Sequence, residues 1–256
     1  MSLDVQNLSF AYEQRVVLQN VSFTAPTGQF TVILGRNGSG KSTILKLLAG
    51  VLPFHSGRVQ AHGQDLRRLS GSARASLLGY LPQFHRTVFP FAVQDVVLTG
   101  RAAFVLSTPG PRDRKLAQEA MEELDLLPLA ERPYSELSGG ERQIVLMARI
   151  LAQRPRIILL DEPVSHLDLA HQQRLMRLLK RLTQEGTTVI SVLHDPNAAL
   201  LYGDHFVFLK EGRVIEPGGH PWSPTFMEEV YGVRTLAVPF GGGNLVIPEP
   251  AGGCHV

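Results

Sequence analysis

The chain has 256 residues, 44% of them hydrophobic, which is ample core for one large unit with subdomains, and its single cysteine, Cys254, excludes an internal disulfide and suits a reducing compartment. Twenty-five Lys and Arg against 23 Asp and Glu leave a formal charge of +2, too weak a bias to point to nucleic acid. No stretch reaches the roughly 18 consecutive apolar residues that a bilayer span needs and the amino terminus has no signal-peptide core, so a soluble, cytoplasmic chain is expected, reaching a membrane only through a partner.

The chain opens with two alternating segments, LDVQNLSFAY and VVLQNVSFTA, which predict antiparallel strands joined by a turn at 13–15. Tyr12 stands just before that turn, either an ordinary strand tyrosine or an aromatic placed to stack on a purine. The apolar run 30–34 leads into GRNGSGKST at 35–43. This fits the phosphate-binding pattern GxxxxGKS, with Gly35, Gly40, Lys41 and Ser42 in the required places, Arg36, Asn37, Gly38 and Ser39 filling the loop, and Thr43 continuing into the helical STILKLLAGVL. A loop that wraps a pyrophosphate turns its amides inward, and the helix behind it aims unpaired N–H groups and the positive dipole end at the same anion. Lys41 is expected to reach the β and γ phosphates, and the Ser42 hydroxyl to ligate Mg²⁺. HSGRVQAHGQDL then reads as a hairpin, and SARASLLGYLPQ leads into a short strand ending at Gln83.

From 84 to 149 the pattern turns helical, broken by the Pro/Gly stretch 107–111; over 112–127, Leu116, Ala120, Met121, Leu124 and Leu127 recur at helical spacing, as in a helical subdomain inserted into an α/β core. LSGGERQ at 137–143 opens a further helix, with Ser138 and Glu141 in a capping-box pattern. It is either a well-capped helix or a second phosphate-facing terminus whose amides Gly139 and Gly140 leave open. RIILLDEP has the unbroken apolar run of a strand buried on both faces, ending in Asp161 and Glu162. Neighbouring side chains on a strand point to opposite faces, so the two acids divide the work: Asp161 to Mg²⁺, through water, and Glu162 to the attacking water. VSHLD precedes an amphipathic helix from about 169 to 184 with Leu175, Leu178, Leu179 and Leu182 on one face. TTVISVLHD predicts a buried strand ending at His194, either a structural histidine or one that meets a γ-phosphate. A helix at 196–202, a strand HFVFLKEGRVI and a Gly/Pro-rich tail from 216 follow, in which TLAVPF and NLVIPEP are expected to pair as a hairpin. The nine histidines show no metal-ligand spacing, and there is no internal repeat.

In this order the motifs resemble those of the ATPase subunits of ATP-binding-cassette (ABC) transporters over nearly the whole chain from Tyr12 onward. GRNGSGKST resembles the Walker A loop, Gln83 in YLPQ the Q-loop glutamine, LSGGERQ the signature, IILLDEP Walker B, SHLD with Asp168 the D-loop, and His194 the switch histidine. The resemblance implies an α/β fold: a P-loop NTPase core with a RecA-like parallel sheet and an antiparallel β subdomain, covering 1–83 and 150–215, a helical signature subdomain at 84–149, and a tail at 216–256. It implies ATP and Mg²⁺ as cofactors, with Gln83 at the metal and water and Tyr12 on the adenine. It also implies a head-to-tail pair of copies in which Ser138, Gly139 and Gly140 of one close over the ATP of the other, and membrane permease subunits as partners, so that the chain sits peripherally on the cytoplasmic face. Two residues depart from the pattern: Arg36 stands where the family usually has proline, and Ile144 where a basic residue usually follows ERQ.

TVFPFAVQDVVLTGR at 87–101 and MEEVYGVRTLAVPF in the tail resemble importers of metal chelates, of the iron-siderophore, haem and cobalamin kinds, which work with a separate substrate-binding protein. On that reading Gln83 and the loop 84–91 touch the permease, or else Phe84, Phe89 and Phe91 fill the subdomain core. The competing readings are import of another solute such as molybdate, and a soluble ABC ATPase acting on ribosomes, nucleic acid or Fe–S assembly. Ribosome-acting relatives generally carry two cassettes and a charged linker, which this sequence lacks.

Overall fold

The structure, a computed structural model, describes residues 1–83, 91–165, 167–216, 221–240 and 243–249; the expectations for 84–90, His166 and Cys254 fall outside them. The two opening segments are β1 (Leu3–Tyr12) and β2 (Arg15–Ala25), paired antiparallel. Leu3, Val5 and Leu8 of β1 and Leu18, Val21 and Phe23 of β2 face one core. Strict alternation breaks between Val5 and Leu8, where the register shifts, and Asn7 and Asn20 take φ of 50° and 51°. Their amides donate to Ser22 Oγ and Ser9 Oγ, so the bulges leave no orphaned donor there and return the next apolar residue to the buried face.

After β3 (Phe30–Leu34) and α1 (Lys41–Ala49), strands β4 (Arg58–Ala61) and β5 (Gln64–Asp65) complete a four-stranded sheet in the order β2-β1-β4-β5. Helix α2 (Gly71–Leu77) enters β6 (Leu78–Leu81), which stops two residues short of Gln83. Helices α3 (Val93–Leu98), α4 (Pro111–Glu123) and α5 (Gly139–Gln153) follow. The helix expected over 112–127 therefore ends early, and Asp125 just beyond it has φ 54°. The chain then runs through β7 (Ile157–Asp161), α6 (Leu169–Gln184), β8 (Thr188–Val192), α7 (Pro196–Tyr202), β9 (His205–Lys210) and β10 (Arg213–Ile215). The one strand expected over HFVFLKEGRVI is two, because Glu211 and Gly212, with φ of 49° and 75°, fold it back as a two-residue hairpin turn.

The central sheet runs β10-β9-β3-β8-β7-β6, parallel except for β10. All five residues of each of β3, β7 and β8 are buried, as a parallel sheet covered on both faces requires. Ile33, Leu159 and Ile190 pack with α1 and the antiparallel sheet, whereas Val32, Leu34, Ile158 and Leu160 pack with α5 and α6. Two cores thus share one sheet, and the period-two pleat decides which side chain joins which.

In the tail, α8 (Pro224–Tyr231) was hidden by its surrounding glycines and prolines, while β11 (Thr235–Phe240) and β12 (Gly243–Pro248) form the expected hairpin. Phe208 of β9 meets Phe226 edge-on at 4.9 Å and Trp222 at 5.9 Å, and Phe206 meets Trp222 at 5.0 Å, so the tail helix docks on the sheet through aromatic packing. Phe226→Ala is expected to lower the unfolding free energy by about 3 kcal/mol, read from urea denaturation, because a buried ring is replaced by a cavity.

Candidate functional site

The loop after β3 and the residues just past β8, β7 and β6 lie at the carboxyl ends of four neighbouring strands, the usual place for a ligand crevice in an open parallel sheet. There a cavity of about 570 Å³ is lined by Tyr12, Arg15, Val17, Asn37, Gly38, Gly40, Lys41, Ser42, Thr43, Gln83, Glu162 and His194. Arg15 and Val17 were not singled out from sequence. The signal for Arg15 lay in the hairpin register, which sets it opposite Tyr12 at the tip.

The loop is shaped by its neighbours. Gly35 has φ 146°, and a Cβ there would lie 2.1 Å from the Leu209 carbonyl oxygen, so only glycine lets β3 turn away so close to β9. The Ser39 carbonyl accepts from the Gly212 amide at 3.1 Å, and the Gly212 carbonyl accepts from the Gln19 amide at 2.8 Å, so the loop is tied to the β9–β10 turn and through it to β2. Gly40, at φ 106°, precedes α1 with no side chain capping the helix, whose first amides are left for an anion.

Lys41 is buried, and its Nζ donates to the carbonyls of Gly35 at 2.7 Å and Arg36 at 2.9 Å. Burial lowers the Lys41 pKa, opposed by the charges of Glu162 and Asp161. Asp161, last residue of β7 and 1% exposed, accepts from the Ser42 hydroxyl at 2.9 Å. Burial pushes its carboxyl above the ordinary value; the Ser42 hydrogen bond lowers it, and the neighbouring Glu162 raises it further. The strand ends at Asp161, and Glu162 turns out of it at φ 54°, its amide donating to the Val192 carbonyl at 3.2 Å. A positive φ at a non-glycine residue is strained, and here it swings the second acid into the cavity. His194 stands two residues past the end of β8, which stops at Val192, and its Nε2 lies 2.5 Å from Glu162 Oε1. The adjacent acids are thus separated in the way their chemistry needs, by termination of the strand.

The other sequence-predicted residues lie outside the cavity lining. Arg36 contributes its carbonyl to Lys41, and the Ser39 side chain is buried, its hydroxyl without a hydrogen-bond partner among the described residues. Ser138 caps α5 reciprocally with Glu141, as the sequence predicted, and it and Gly139 are exposed, with Gly140 half-buried. Asp168 is exposed and caps α6 through the His171 amide at 2.9 Å. Gln143, on the buried side of α5, donates to the Pro163 carbonyl at 3.2 Å and so supports the turn that carries Glu162. Ile144 is 7% exposed within the larger core, where an apolar side chain fits and an unpaired cation would not.

The ABC transporter family profile matches residues 18–165, more than half of the chain. The chain belongs to the ABC transporter family, as an ATP-binding subunit. It is 39% identical over 239 residues to a hemin import ATP-binding protein of Rhodococcus jostii, covering 92% of this chain and 82% of that one. Among solved structures it superposes at a TM-score of 0.83 and 29% identity on an inward-facing ABC transporter assigned to the metal-chelate type, covering 97% of both chains. A dimeric bacterial ABC transporter cassette matches at a TM-score of 0.75 and 31% identity, over 84% of this chain and 97% of that one.

The site suits a magnesium nucleotide. The amides at the start of α1 and the Lys41 ammonium offer donors to phosphate, and the oxygens of Ser42 and Asp161 are the hard ligands that Mg²⁺ takes. The buried Asp161 carboxylate also lacks a full counter-charge, which a divalent cation would supply. The same imbalance gives a pH-dependent stability. A folded-state carboxyl raised above 3.8 binds more protons than in the unfolded chain, so its ionisation destabilises the nucleotide-free fold as pH climbs past that value. Asp161→Asn removes this cost, and the melting-temperature gap between the Asn variant and wild type is expected to widen from about pH 4 to about pH 7. A constant gap would contradict the assigned shift.

Proposed function

We infer that this subunit hydrolyses ATP to power import of a metal chelate of the hemin or iron-siderophore kind, working as two head-to-tail copies on the cytoplasmic face of a membrane permease fed by a substrate-binding protein. The observation that carries the chemistry is the pair Glu162 and His194 in one cavity with Lys41. The cargo is supported by the hemin import relative and the metal-chelate type structure.

In this reading Tyr12, 41% exposed at the hairpin tip, stacks on the adenine, and Arg15 lies beside it. The phosphates lie along Gly35, Asn37, Gly38, Ser39, Gly40 and Thr43, with Lys41 exchanging its loop carbonyls for their oxygens. Ser42, Gln83 and, through water, Asp161 would hold Mg²⁺, which would supply positive charge beside the phosphates. Glu162 orients the attacking water and accepts its proton, as the new oxygen–phosphorus bond forms and the bond to ADP breaks. His194, in contact with the Glu162 carboxylate, fixes its direction and meets the transferring phosphoryl group. Residues 84–149 act as the signature subdomain. Ser138, Gly139 and Gly140, with Asp168, lie outside the cavity of their own chain, so a twofold pair supplies them to the nucleotide of the other copy.

Lys41→Ala is expected to abolish turnover, and unchanged ATPase activity would sink the site. Glu162→Gln is expected to bind ATP and Mg²⁺ but to hydrolyse about 10²–10⁴-fold more slowly and accumulate as a dimer in light scattering. Pairing Lys41→Ala with Ser138→Arg in opposite subunits leaves one composite site intact, so it is expected to retain activity that the double variant in one subunit loses. Equal activities would count against shared sites. For the cargo, vesicles holding the subunit and its permease are expected to take up hemin or a ferric siderophore on ATP addition. Uptake of molybdate instead would reassign the importer.

A further inference from the structure

Helix α8 ends against the phosphate loop. Its last residue, Tyr231, has its hydroxyl buried at the Gly35 backbone. Gly232 closes the helix at φ 71°, its amide donating to the Glu228 carbonyl at 2.7 Å. A Cβ at position 232 would lie 2.9 Å from Arg36 Nη1 and 3.5 Å from its Cζ, so the guanidinium rests on the end of the helix, where the dipole is negative. At its other end Arg36 is bound into the loop, its carbonyl accepting from Lys41 Nζ at 2.9 Å and from the Ser39 amide at 3.2 Å. The helix itself is held to β9 by the Phe208 contact with Phe226 and by Lys210 Nζ, 3.7 Å from Glu229 Oε1, and Trp222, two residues ahead of it, also packs on Phe208.

We propose that Arg36 is a positioning residue through which the docked tail helix α8 sets the shape of the phosphate loop, making the tail part of the nucleotide site. The inference rests on the nucleotide-binding reading above. Its mechanism is a coupling between two places joined by one side chain. When phosphate draws Lys41 away from the Arg36 carbonyl, the backbone at 36 moves, and the guanidinium on α8 moves or strains with it. Such a coupling is reciprocal: if a docked α8 favours the loop shape that accepts phosphate, nucleotide must favour docked α8 by the same factor.

The test is hydrogen exchange over 224–232 in the full chain with and without Mg·ADP, together with ADP affinity by calorimetry. ADP is chosen so that closure of a dimer over ATP does not contribute. In wild type, ADP is expected to slow exchange of this segment by roughly fivefold. In Arg36→Ala that response is expected to disappear and ADP affinity to fall by a similar factor, with Arg36→Lys restoring both in part. Gly232→Ala, which puts a methyl group into the space of the guanidinium, is expected to mimic Arg36→Ala. An α8 that exchanges at the same rate with and without ADP in wild type, or that responds equally in Arg36→Ala, would overturn the proposal. Failure of wild type to bind ADP at all would instead overturn the assignment of the nucleotide site.

Discussion

A lysine and an aspartate buried in one crevice without full compensation set the terms for the rest of this molecule. Taking Lys41 and Asp161 out of water costs free energy, and among the described residues no side-chain anion or cation pairs either of them directly. Such a site exists only where the surrounding structure over-determines it. The fully buried strands β3, β7 and β8, held on both faces by separate cores, supply that rigidity. The fold stores an electrostatic deficit, which makes these groups poor stabilisers of the empty protein and, in the proposed function, suits them to an anion with its divalent cation.

The strain at Glu162 serves the same site. Its φ of 54° takes the carboxylate off the face opposite Asp161 and brings it to His194. That turn is held from two directions, by the Val192 carbonyl on the neighbouring strand and by Gln143 at Pro163. Gln143 lies on the helix whose exposed start carries Ser138 to Gly140, so α5 presents that glycine pair at one end and braces the turn that carries Glu162 from its flank. The Gln143 hydrogen bond to the Pro163 carbonyl thus ties α5 to that turn.

Much of this was legible in the sequence where local pattern and tertiary demand agree. The loop at 35–43, the capping box at Ser138, the buried run before Asp161 and α6 at Leu169–Gln184 each carry their own signal, in glycine spacing, cap chemistry or period. What was missed depended on backbone angles or on distant chain. The Glu211 and Gly212 turn lay inside an apparently continuous strand because a non-glycine residue with positive φ leaves little trace in composition. Helix α8 was obscured by the glycines and prolines around it, and its stability comes from Phe208, which lies on another strand. Arg15 and Val17 reach the cavity because β2 runs beside the loop, with the Val17 backbone close to Gly40, a placement that local alternation does not report.

The ties that shape the phosphate loop come from places far apart along the chain. Residue 39 is bonded to Gly212 and Gly212 to Gln19, while position 35 is closed by Leu209. By the time a ribosome has made His194, every residue that lines the cavity has been synthesised, yet β9 and its turn are still to come. A nascent chain at that stage holds the residues of the cavity without the Leu209 and Gly212 contacts that shape the loop. Contacts of such long sequence separation form late and slowly. The shape of the loop therefore depends on residues that follow every side chain lining the cavity, so a chain cut short at His194 would carry the site's chemistry without the contacts that set its geometry.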